Sequence, residues 1–200
     1  MSRPSFKTPR VYLSFLFIII TLLTYGNLFV EGDSKLWSLA FLGTNSFGIL
    51  VSDILGTFLW PVLIIILALR SGNHRRMALA LLVSLLIAQV LEMSFSEFLP
   101  REGPLKVEST GSGEHLEGSY PSGHTARAFA AATVLFVSLG GKGRWLFPVL
   151  ALGSGLSRLL LGVHFFSDVM GGALLGMWAG TIGLSLVSDR FQFRPKKDKE

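Results

Sequence analysis

His164 and Asp168 lie four residues apart, with Ser157-Arg158 upstream of them, and a second histidine closes the tetrapeptide Pro121-Ser122-Gly123-His124. An imidazole is a nucleophile only when it is neutral and the correct nitrogen is bare. A carboxylate that accepts a proton from the other nitrogen fixes that tautomer. One helical turn spans four residues, so Asp168 can do this for His164. Arg101, Arg158 and the two imidazoles together point to an anionic ligand. Ser122 can cap a helix, and Gly123 lets a ligand approach the main chain closely. Each cluster has a plain alternative. The tetrapeptide can be an ordinary capped helix start, and Arg158 can pair with Asp168 while His164 sits at an interface.

The elements that must position these residues are set by composition. Of 200 residues, half are apolar, 18 are Lys or Arg, 13 are Asp or Glu, and none is Cys. Mean hydropathy is +0.55. A soluble globular chain, a disordered chain and a short-period repeat are all excluded. With no cysteine there is neither a disulfide framework nor a thiolate site. Residues 11–30 and 169–188 are charge-free runs, each long enough to cross a bilayer. The sequence predicts an all-α bundle of six transmembrane helices, at about 11–30, 49–69, 77–99, 123–140, 145–163 and 168–188, forming one integral-membrane domain over 1–200. Residues 36–47, with Trp37, Phe41 and Phe47, are too short to cross and are expected to form an interfacial helix between spans one and two.

Thirteen of the eighteen cations gather on one face of this arrangement: Arg3, Lys7, Arg10, Arg70, Arg75, Arg76, Lys142, Arg144, Arg190, Arg194, Lys196, Lys197 and Lys199. The positive-inside rule makes that face cytoplasmic, with both termini inside a cell membrane. The first run is long and no small-residue cleavage site follows it, so it is expected to stay as an anchor. Distribution by membrane side, with no aromatic interleaving, argues against nucleic acid as a partner. Gly172, Gly176 and Gly180 recur every fourth residue and predict close helix packing. Arg101, Ser122, His124, Arg158, His164 and Asp168 all fall at the outer level of their spans. Charges kept near hydrocarbon pair with one another or face a cavity or ligand. The starts of spans four and six add main-chain N–H groups and helix dipoles, which suit phosphate.

Pro121-Ser122-Gly123-His124 together with Ser157-Arg158, His164 and Asp168 resembles the second and third signature motifs of the type 2 phosphatidic acid phosphatase superfamily, the lipid phosphate phosphatases. The resemblance covers essentially the whole chain. The first motif of that family, a Lys, six residues, then Arg-Pro, is only partly present. With Arg101 as its arginine, Ser94 stands at the lysine position and Glu102 at the proline position.

The resemblance implies that His164 attacks phosphorus and becomes a phosphohistidine, that Asp168 orients it, and that His124 protonates the departing lipid oxygen. Arg101, Arg158, Ser122 and the Gly123 N–H are then the phosphate-binding groups. Arg127 is an additional phosphate cation or the partner of a carboxylate such as Glu92 or Glu97, while Lys106 and His115 are expected to be solvated. No metal or cofactor is implied, and vanadate is expected to inhibit. The substrate is a phosphorylated membrane lipid drawn from the bilayer. Arg127 as an extra cation favours polyprenyl diphosphate over phosphatidylglycerol phosphate, phosphatidic acid or a lipid A phosphate. A lipid-to-lipid phosphotransferase and a non-catalytic lipid-binding or transport protein are the competing readings.

Overall fold

The computed structural model describes residues 7–40, 42, 46–101, 103–104 and 119–188, and these are all-helical, with no strand among them. Helix α1 is Lys7–Tyr25, α2 Val30–Ala40, α3 Ser46–Ala68 with a π turn at Ile54–Phe58, and α4 Asn73–Phe98. Helix α5 is Gly123–Ser138, α6 Leu146–Leu160 after a 3₁₀ turn at Lys142–Trp145, and α7 Phe166–Ser188. Lys106 and His115, the expected loop cations, lie outside the described residues, as do Arg3, Phe41, Glu102 and the basic residues from Arg190 onward.

Two expected boundaries move. The first helix ends at Tyr25 rather than running to Val30, because Asn27 adopts a left-handed φ of 60°. The Leu28 N–H then reaches back to Leu23 O at 3.0 Å and the Asn27 N–H to Thr24 O at 3.3 Å. These two bonds satisfy carbonyls that a continuing helix would have used, the pattern of a left-handed helix stop. The following helix therefore begins at Val30, not near Leu36, and carries Glu31 and Asp33 in its first turn, where negative charge suits the helix dipole. Phe47, assigned to the interfacial segment, belongs to α3.

Among the described residues, four helices are long and apolar enough to cross a membrane: Thr8–Tyr25, Ser46–Ala68, Asn73–Phe98 and Phe166–Val187. The expected spans at 123–140 and 145–163 form helices of 16 and 15 residues. Large apolar side chains such as Phe58, Ile65, Val90, Met93, Leu152 and Leu156 are exposed on the outside of the bundle. Contiguous apolar surface of that kind marks a multi-pass membrane protein.

Helix α5 is the centre of the bundle, packed by α3, α4, α6 and α7. Its alanines Ala126, Ala128, Ala130, Ala131 and Ala132 are buried, which lets neighbouring helices come close. The glycine stripe of α7 lies directly against it, as the spacing predicts. A Cβ placed on Gly176 would meet Phe129 Cβ at 2.9 Å, and one on Gly180 would meet Thr133 Cβ at 2.6 Å. Without a hydrophobic drive between helices in lipid, this close van der Waals packing is what holds them. Arg10 of α1 donates to Ser185 Oγ of α7 at 3.2 Å, while the other end of α1 meets Tyr120 through Thr21 at 2.8 Å. Helices α1 and α7 thus run antiparallel.

Candidate active site

The turn between α6 and α7 sets the third motif. Gly162 takes a left-handed φ of 70°, its N–H bonds Leu159 O at 2.9 Å, and the Val163 N–H bonds Arg158 O at 3.2 Å. Glycine enters this conformation without a Cβ penalty, so α6 stops one residue earlier and the chain reverses. Trp37 of α2 clamps the turn by donating to Gly162 O at 3.2 Å. Three residues into the next element, Asp168 reaches back and accepts the Phe165 N–H at 2.9 Å. This is the carboxylate half of a helix capping box, and it holds Asp168 beside the preceding histidine. His164 Nδ1 lies 3.7 Å from Asp168 Oδ2.

Arg101 is shared between two buried carboxylates. Its Nη1 bonds Asp168 Oδ1 and its Nη2 bonds Asp33 Oδ2 at 2.8 Å. Asp33 also accepts the Ser167 N–H at 3.0 Å and the Ser167 hydroxyl at 2.5 Å. Thus the first turn of α7, expected to offer open N–H groups to phosphate, is already capped by a carboxylate from α2 and by its own Asp168. Arg101 is the cation that neutralises both, and Phe165 covers its guanidinium face at 4.8 Å.

The second motif is joined to the third through the main chain: the Ser122 N–H donates to Asp168 O at 3.0 Å. Ser122 occupies the N-cap position of α5, but its side chain makes no capping bond and instead accepts from Thr125 Oγ1 at 3.0 Å. The close approach is allowed by Gly172, where a Cβ would lie 3.1 Å from Thr125 Cβ. A Cβ added at Gly123 would stand 2.9 Å from the Glu92 carboxyl carbon.

His124 is held at both ring nitrogens. Nε2 meets Asp53 Oδ1 at 2.9 Å, and Nδ1 faces Arg127 Nη2 at 3.4 Å. The ring rests on Gly56 of the π turn, where a Cβ would come within 2.7 Å of His124 Cβ. Arg127 is committed to protein acceptors: Gln89 Oε1 at 2.6 Å, Gly56 O at 3.2 Å and Thr57 Oγ1 at 3.2 Å. Gln89 passes the contact on to Glu92 at 2.9 Å. These acceptors are uncharged, and Glu92 is reached only through the Gln89 amide.

Arg158 lies between the two histidines. Its Nη1 donates to Ser52 Oγ at 3.1 Å, and its charge acts on both His124 and His164. Its Nε is buried without a hydrogen-bond partner, as is His164 Nδ1. A buried donor with no acceptor is costly, so Arg158 is the guanidinium with capacity for an anion. Enclosure by protein pushes the His164 imidazole below its usual range; the Arg158 charge adds to this and Asp168 opposes it.

Ser94, at the lysine position of the first motif, is half-buried and donates to its own helix at Val90 O at 2.8 Å. Among the described residues no three His, Asp or Glu side chains converge to hold a metal ion. Asp33, Ser52, Asp53, Gly56, Thr57 and Gln89 complete the arrangement and were not marked by any motif. Asp53 was nevertheless visible as a lone charge within the apolar stretch 49–69. An ionisable residue in such a place is a functional signal in its own right.

The family model for the PAP2 superfamily matches residues 73–192. The chain belongs to the PAP2 superfamily. LpxE from Aquifex aeolicus is similar in structure, with a TM-score of 0.63 and 28% identity over 76% of this chain and 94% of that one. A PAP2 type phosphatidylglycerolphosphate phosphatase from Bacillus subtilis has the same fold, with a TM-score of 0.72 and 22% identity over 95% of this chain and all of that one. Among curated relatives, the lipid A 1-phosphatase of Porphyromonas gingivalis is 41% identical over 68 residues, 32% of this chain. The match takes in only 15% of that relative's length.

Proposed function

We propose that this protein is a membrane-embedded lipid phosphate phosphatase that works through a phosphohistidine at His164. The observation that carries the reading is the Ser122 to Asp168 main-chain bond, which ties the start of the helix bearing His124 to the helix start that follows His164, while the Arg158 charge bears on both rings. His164 attacks phosphorus as the bond to the lipid oxygen breaks, and His124 gives that oxygen a proton. Water then attacks the phosphohistidine, His124 takes its proton, and phosphate leaves with His164 restored. Arg158 and the start of α5 at Gly123, with the Ser122 hydroxyl, neutralise the phosphoryl oxygens. Arg101 acts one step back, by holding Asp168.

The reading places residues 1–200 in one domain of six crossings, α5 and α6 included, with both termini cytoplasmic and the site under the outer leaflet. The shared end of α1 and α7 and the cations at Arg10, Arg70, Arg75 and Arg144 support that orientation. Such a pocket takes a phosphorylated headgroup while the lipid tails stay in the bilayer. Preference for polyprenyl diphosphate rested on Arg127 as a phosphate cation. Its commitment to Gln89, Gly56 and Thr57 removes that support and leaves phosphorylated lipids as a class.

The test is phosphate release by the purified protein in detergent with chelator present, from polyprenyl diphosphate, phosphatidylglycerol phosphate, phosphatidic acid and a lipid A phosphate. Release from at least one is expected. Release from none would favour the lipid-binding or transport reading, and transfer of label to a second lipid the phosphotransferase reading.

A further inference from the structure

Asp53 is set apart from the other site carboxylates by where it stands and what it meets. Asp33 and Asp168 keep 2% and 0% of their side-chain surface exposed and neutralise Arg101 between them. Asp53 keeps 36% and meets His124 Nε2. It is the last residue before the π turn, and that turn also supplies the Gly56 surface under the His124 ring and the Gly56 and Thr57 oxygens that hold Arg127. Single π turns inside α-helices recur at functional sites, and this one fixes one histidine from two sides.

Charge makes the pairing consequential. Two guanidinium groups act on His124: Arg127 from its own helix and Arg158 from α6. Glu92 of α4 is directed at Arg127, with Gln89 between them. Asp53 of α3 is the carboxylate in direct contact with the ring. A guanidinium only donates, so Nδ1 beside Arg127 is the bare nitrogen at rest and Nε2 carries the proton, donated to Asp53. For His124 to serve the departing oxygen an extra proton must sit on Nδ1 and pass from there to that oxygen, while the Asp53 anion at hydrogen-bond distance from Nε2 stabilises the imidazolium that carries it.

We propose that Asp53 is a positioning residue for the leaving-group step: it fixes the His124 tautomer and supplies the countercharge that lets His124 carry the proton given to the lipid oxygen. The site thus contains two carboxylate–histidine pairs, Asp168 serving attack and Asp53 serving departure. This inference rests on the phosphatase reading.

The test is Asp53→Asn, which keeps the shape and removes the charge, followed by rapid-quench measurement of phosphoryl transfer to the enzyme. Two substrates are compared: short-chain phosphatidic acid, whose alkoxide leaving group needs a proton, and p-nitrophenyl phosphate, whose leaving group does not. The variant should slow transfer from phosphatidic acid by about 100-fold and leave transfer from p-nitrophenyl phosphate within about threefold of wild type. Equal slowing on both substrates, or slowing on neither, would overturn the role. If Asp53→Asn fails to fold, Asp53→Ala carries the same comparison: slowing confined to phosphatidic acid is expected, and equal slowing on both substrates or on neither would overturn the role. A wild-type protein that transfers phosphate from neither substrate would overturn the phosphatase reading as well, whereas an active wild type beside an unaffected Asp53→Asn overturns the role of Asp53 alone.

Discussion

Asp168 accepts the Ser122 N–H at its main-chain oxygen, 3.0 Å away, while its carboxylate faces His164 and Arg101. One residue thereby locks the helix that carries His124 to the turn that carries His164. The register of the two histidines is fixed by backbone, so side-chain substitutions in the site are expected to change chemistry before they change architecture. Arg101 is the exception.

Arg101→Gln should destabilise the fold, because it strands Asp33 and Asp168 as buried charges without their cation. Breaking such a buried set costs about 3–5 kcal/mol. Thermal unfolding in detergent is the measurement, and a clear fall in Tm is expected together with a lower kcat. A raised KM with unchanged Tm would assign Arg101 to the substrate instead.

Gly56→Ala adds a methyl group where the His124 ring now rests, with His124 Cβ only 2.7 Å away. The ring must move, and a displacement of about 1 Å at a catalytic group can cost about 100-fold in rate. The loss should fall on kcat, with KM and helix content close to wild type.

Arg127→Gln tests the role of that guanidinium. Its donors are spent on Gln89, Gly56 and Thr57, so the variant should lower turnover of monophosphate and diphosphate lipids by the same factor. A selective loss on diphosphates would restore Arg127 as a phosphate ligand.

The acid limb of the kcat/KM profile reports free-enzyme groups. The His164 imidazole is pushed down by its enclosure, and only its neutral form attacks. Protonation inactivates it, so activity should persist as pH falls through the ordinary imidazole value of about 6.5 and decline only below it. An acid limb at or above that value would contradict the assignment.

The chemistry of the site was legible in the sequence wherever it is local. Asp168 reaches back within one helix start to the Phe165 N–H and so stands beside His164, and Ser122-Gly123-His124 are joined by a single turn, so spacing alone brings them near one another. What was hidden depends on contacts between distant segments. Nothing near Arg101 announces Asp33, which arrives on a helix whose start was obscured by the left-handed stop at Asn27. Asp53 meets His124 through a π turn, and an apolar stretch carries no pattern that marks one. The glycine stripe of α7 was readable because its fourfold spacing is a property of that helix alone. The crossing count was less so, since α5 and α6 are shorter than their apolar stretches suggest.

The central claim is that phosphorus is bonded to His164 during turnover. Rapid quenching after mixing the protein with a lipid labelled in its phosphate tests it most directly. Label bound covalently to the protein, stable to alkali, released by acid, and lost in His164→Ala is the predicted result. Label that never becomes protein-bound while phosphate is released, or that persists in His164→Ala, would contradict it.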